Sequence, residues 1–119
     1  MKNDLKDRTK LFAHRCIKFA MALPDSVLGN HIRKQLIRCS TSVAANYRAA
    51  CIAQSRAGFI AKLSIALEEV DETSFWMEFA IEEKLLTTDK AAALMQEARE
   101  LTSVLIASRK TAQRSVKAK

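Results

Sequence analysis

Glycine and proline are nearly missing from this 119-residue chain, which has two of the first and one of the second. So few turn formers leave little means of making the tight reversals of a sheet protein, and they exclude a glycine-rich phosphate loop. Histidine is as scarce, with only His14 and His31. A di-iron bundle needs Glu-x-x-His pairs on facing helices, and neither histidine sits in that context. No Ser-His-Asp order occurs either. The expectation is therefore a protein without catalytic apparatus, cofactor or metal. Long apolar runs are also absent: none exceeds the five residues of Phe19 to Leu23, far below a membrane span. The opening MKNDLKDRTK lacks the apolar core of a signal peptide. Cys16, Cys39 and Cys51 are an odd number at no metal spacing, which fits idle thiols in a reduced, cytoplasmic setting.

What the chain does contain is Ala, Leu, Ile, Glu, Lys and Arg, the composition of long helices. Its length suits one domain over residues 1–119. The formal charge is +7, and the sequence pI of about 9.6 favours contact with polyanions. That charge is segregated. Residues 1–62 hold 12 basic and 3 acidic side chains, residues 63–89 hold 1 and 8, and residues 90–119 hold 7 and 2. An acidic island lies between basic arms.

Apolar spacing predicts four helices, at about 4–22, 26–54, 56–86 and 88–114. In the first, Leu5, Phe12, Cys16, Phe19 and Leu23 share one face, and Pro24 stops the helix. The second carries a seam of Ile32, Leu36, Cys39, Val43, Asn46 and Ala50, with Gly29 weakening its first turn. The third has the most regular seam: Ile60, Leu63, Leu67, Val70, Ser74, Met77 and Ile81. Thr87 or Thr88 caps the fourth, which continues through Leu94, Ala98, Leu101 and Leu105, then Ser108 or Ala112. Short connections make neighbours antiparallel, giving an all-α, up-down-up-down four-helix bundle. A long helical hairpin that dimerises is the rival architecture.

Folding the second helix back on the third brings Arg38 to Glu69 and Glu72, and Arg33 and Lys34 to Glu78. The acidic island is then the internal ion partner of the second helix, or else an acidic docking surface. Arg38, Asn46, Glu69 and Glu72 form the expected structural polar network. The third helix also has a second apolar line, Phe75, Phe79 and Leu86, with Trp76 beside it. That line is either a wide core face or a subunit interface. Basic residues recur every four positions at Lys2, Lys6, Lys10, His14 and Lys18, and cluster again at Arg109, Lys110, Arg114, Lys117 and Lys119. Both clusters fall at one pole of an up-down bundle. They read as a single phosphate-binding surface centred on Lys6, Lys10, Lys18, Arg109, Lys110 and Arg114, or as a solvated face. No motif for base-specific reading accompanies them.

The runs QLIRCSTSVAANYRAA, SRAGFIAKLSIA and EEVDE resemble the four-helix bundle family encoded in 23S rRNA intervening sequences, over roughly residues 10–110. Gln35, Leu36, Arg38, Ser42 and Asn46, then Phe59, Leu63, Ala66 and Glu72, carry the resemblance. Ala49-Ala50 stands where many members have a Glu-Gly pair, and Glu68 and Glu69 stand where many have small residues. The resemblance implies a ring-like homopentamer with an interface at Phe75, Trp76, Phe79 and Leu86. It also implies a scaffold or accessory role on RNA or DNA. Accessory proteins of diversity-generating retroelements, a related branch, bind a reverse transcriptase. This makes docking of a protein partner through the acidic or apolar surface of the third helix the alternative.

Overall fold

The computed structural model describes residues 4–118, with side chains placed over 5–115. Lys2 and Lys119 lie outside the described residues, as does the side chain of Lys117. The helices are α1 (Asp4–Met21), α2 (Val27–Cys51), α3 (Arg56–Glu82) and α4 (Thr88–Ala118). They run up-down-up-down in a bundle of 52 × 24 × 21 Å. Each helix packs on its chain neighbours and α4 closes on α1, while the diagonal pairs make no backbone-level contact.

Two Ser-x-x-Gly segments start the middle helices by the same device. Ser26 and Ser55 are extended, and their hydroxyls accept from the N–H of Gly29 at 3.0 Å and of Gly58 at 2.9 Å. Gly29 is more than a weak first turn. A Cβ there would stand 2.0 Å from the Pro24 carbonyl oxygen, so only glycine lets the corner between α1 and α2 close. Arg33 locks the same corner. Its guanidinium donates to the carbonyls of Ala20 at 3.1 Å, Leu23 at 2.5 Å and Pro24 at 3.4 Å, and to the side chain of Asn30. Ala20 O and Pro24 O each take one backbone N–H, from Leu23 at 3.2 Å and Ser26 at 3.0 Å, and a five-donor side chain fills the acceptor capacity left in this corner. Arg33 is thus a cap for α1 and does not face Glu78.

The core is built from Phe12, Cys16, Phe19 and Leu23 of α1, Ile32, Leu36, Cys39 and Val43 of α2, and Leu94, Ala98, Leu101 and Leu105 of α4. On α3 the buried line is Leu63, Ala66, Val70, Thr73, Met77 and Ala80. Leu67, Ser74 and Ile81, expected on the seam, are half-buried at its flank. The face is rotated because small side chains let α2 approach closely. Thr73 then serves in the core, its hydroxyl donating to the Glu69 carbonyl at 2.7 Å and lying 3.1 Å from Cys39 Sγ. Asn46 is half-buried, and its amide donates to the Ser42 carbonyl at 3.0 Å and hydroxyl at 2.9 Å. Those bonds stay within α2, so Asn46 sets no register across the seam.

Both middle helices end earlier than their patterns suggest. α2 stops at Cys51, three residues short of Gln54, where the Ile52 and Ala53 N–H groups turn back to Ala49 and Ala50. α3 stops at Glu82 in a Schellman turn: Lys84 N–H bonds to Ile81 O, and Leu85 N–H to Ala80 O, both at 2.9 Å. Lys84 holds the left-handed position at φ 61°, which glycine usually fills. Leu86 therefore leaves the line of Phe75 and Phe79. α4 runs past residue 114 to Ala118.

Candidate nucleic-acid interface

Helix α1 turns a positive face outward. Lys10, His14 and Lys18 are exposed, and Lys6 is half-buried on the side facing α2. The span from Lys6 to Lys18 is about 18 Å along the axis. A hollow of about 300 Å³ opens on the α2 flank, lined by Lys6, Lys10 and Arg48 together with Asp7, Ala44 and Ala45. On the α4 flank a second hollow of about 350 Å³ is lined by Arg15, Lys18 and Lys90 together with Phe19, Leu86 and Leu94. Among the described residues no carboxylate lines this second hollow. It adjoins a third, of about 530 Å³, which shares Leu86 and Lys90 and adds Lys84, Leu85, Thr87 and Thr88.

The two ends of the chain do not pool their charge. Lys6 and Lys10 open towards α2, whereas Arg109 Nη1 donates to Ser64 Oγ of α3 at 3.3 Å, across the bundle. Lys110 and Arg114 are exposed on α4 beyond that contact. Arg109 therefore stands apart from Lys6 and Lys10, because it sits on the α3 side of its helix. Arg48, Arg15 and Lys90 join the α1 face and were missed in the sequence. The signal for Arg48 was present: folding α1 back on α2 about Pro24 brings Lys6 opposite Arg48.

Ion pairs among the described residues tie helices together. Arg8 of α1 reaches Glu97 at 2.7 Å and Glu100 at 2.9 Å on α4. Hydrogen bonding from Arg8 holds the Glu97 carboxyl below its ordinary range. Arg38 lies 3.1 Å from Glu69 and 2.6 Å from Glu72. The bond from Arg38, and then that from Trp76 Nε1 at 3.2 Å, lowers the Glu72 carboxyl. Arg38 is half exposed, so this cluster lies at the surface and not within the core. Among the described residues no group of three or more His, Cys, Asp or Glu is placed to hold a metal. Burial pushes the Cys16 thiol up to about 12 and raises that of Cys39, which makes both poor nucleophiles.

Phe75, Trp76 and Phe79 form an aromatic cluster at the edge of the core, with Trp76 and Phe79 half-buried against it. Phe75 stacks on Phe79 at 5.9 Å, and Trp76 meets Phe75 at 4.9 Å and His31 of α2 at 5.3 Å, both edge-on. Phe75 is 51% exposed. Leu86, expected in the same patch, lies instead in the turn before α4 and lines the hollows against α1. No helix of the described residues is long and apolar enough to cross a membrane.

Comparison with known proteins fits this architecture. A crystal structure from Bacteroides thetaiotaomicron, of a protein with unknown function from the S23 ribosomal protein family, superposes with a TM-score of 0.80. Its sequence is 36% identical, and the match covers 88% of this chain and 97% of that one. No curated protein matches. The family model described as 23S rRNA-intervening sequence protein matches residues 1–107, including the start of α1 that the residue-level resemblance left out. This helical bundle belongs to the family of 23S rRNA-intervening sequence proteins.

Proposed function

We propose that the chain is a non-enzymatic, homo-oligomeric scaffold that binds RNA or DNA electrostatically through the outer face of α1. The observation that carries this reading is the convergence of cations from three helices on that face. Lys6, Lys10 and Arg48 share one flank, and Arg15, Lys18 and Lys90 share the other. Contacts of this kind neutralise phosphates without reading bases, and they weaken steeply with salt. Arg109, Lys110 and Arg114 supply a separate positive surface on α4. The homo-oligomer uses the aromatic cluster of Phe75, Trp76 and Phe79, of which Phe75 is exposed, since an exposed ring beside others favours burial against another subunit. The family description names an rRNA-associated origin and no reaction, which agrees with a binding role.

Light-scattering mass of the protein, alone and with a structured RNA at low and high salt, tests the proposal. A multimer that gains mass with RNA only at low salt is the expected result. A multimer indifferent to RNA would move the assignment to a protein partner docked on the same aromatic cluster and the acids beside it. That second reading is favoured by one observation, the exposure of Phe75 next to Glu72.

A further inference from the structure

We infer that the nucleic acid taken by the α1 face is single-stranded, with unstacked bases entering the hollows on its two flanks. This rests on the nucleic-acid reading above and adds the class of strand. A duplex keeps its base faces stacked and offers only groove edges, phosphates and sugars, and for its phosphates a convex ridge of lysines suffices. Helix α1 has more than a ridge. On each flank the recess is lined by cations together with uncharged side chains. These are Ala44 and Ala45 by α2, and Phe19, Leu86 and Leu94 by α4. Among the described residues Asp7 is the only acid lining the first recess, and none lines the second.

An unstacked base needs this combination. Its ring loses water against apolar side chains while the phosphates on either side meet cations. Volumes of about 300 and 350 Å³ are pockets of small-ligand size. The adjoining hollow places the hydroxyl-bearing Thr87 and Thr88 beside Leu86 and Lys90, within the same recessed region. Hydroxyls can donate to or accept from base edges without selecting one base. The recesses centre near residues 8 and 18 of α1, about 15 Å apart along the axis, so one strand crossing the ridge of Lys10, His14 and Lys18 can engage both. Among the described residues no exposed aromatic ring lines either recess. Phe19 is almost wholly buried at the second recess, so base contact falls mainly on aliphatic side chains and most of the affinity remains electrostatic.

The test fills the recesses without touching a charge. Ala45 and Ala93 are exposed helical positions lining the two hollows, and leucine is a good helix former there. Fluorescence anisotropy would compare a labelled RNA single strand and its duplex at matched salt, on the parent chain and on Ala45→Leu/Ala93→Leu. The expected result is tighter binding of the single strand by the parent, with a loss of about tenfold in the double variant, the two base contacts together contributing less than aromatic stacking would. Duplex affinity should not change. Equal binding of both forms, or a filled variant that keeps its single-strand affinity, overturns the inference and leaves the nucleic-acid reading standing. Binding of neither form removes both. Poly-glutamate competing as well as the single strand would show that the recesses respond to charge alone, and would also overturn it.

Discussion

Gly29 and Lys84 make opposite backbone statements. Gly29 sits where any side chain would strike the Pro24 carbonyl, so Gly29→Ala gains helix propensity and still loses stability. A cost of about 1–3 kcal/mol is expected, read as a lowered urea midpoint. Lys84 is the converse case. It occupies a left-handed conformation that costs a non-glycine residue about 1 kcal/mol, so Lys84→Gly should raise the midpoint by a similar amount. The thiols divide as clearly. Cys51 is exposed at the end of α2, whereas Cys16 and Cys39 are buried. A thiol reagent should label one site in the native protein and three after denaturation.

The helices themselves were largely legible. Spacing of apolar residues placed all four, and Leu63, Val70 and Met77 lie where the pattern put them. What the pattern missed has a common physical cause. It weighs large side chains, yet the contact of α2 with α3 selects small ones, so Ala66, Thr73 and Ala80 displaced Leu67, Ser74 and Ile81 from the centre of the face. The end of α3 was illegible because no glycine or proline marks it; a lysine holds the turning position. Arg33 was assigned to a carboxylate because charge suggests one, but it bonds the carbonyls at the corner after α1 instead. On the candidate surface, Lys6, Lys10 and Lys18 could be placed on α1 from their spacing alone. Arg15 and Lys90 could not be joined to them without the packing of α1 on α4.

That packing makes a pH prediction. The folded protein holds the Glu97 carboxyl below its unfolded value, so its contribution is complete above the usual carboxylate range near pH 4.3. It is lost as the pH falls through the depressed folded value. Stability should therefore drop in acid below about pH 4, and Glu97→Gln should flatten that drop while lowering stability at neutral pH. Because Arg8 is partly exposed, the effect is that of a screened pair.

For the bundle as a unit, association and charge can be separated. Phe75→Glu should reduce the light-scattering mass without unfolding the chain, since Phe75 is outside the core. Replacing Lys6, Lys10 and Arg48 by Gln should leave that mass unchanged. It should also flatten the salt dependence of single-strand binding by about 2 in the log–log slope. The assembly has one uneven join. The seam of α1 with α4 is the sparsest of the four, and α1 is held at one end by Arg33 from α2 and towards the other by Arg8 reaching α4. A helix attached in this way has its own opening equilibrium, distinct from global unfolding. Amide hydrogens of α1 should exchange with solvent faster than those of α3, whose small-residue face is fully packed. The positive face lies on α1, so a bound strand lying across it would act as a strap and slow that exchange.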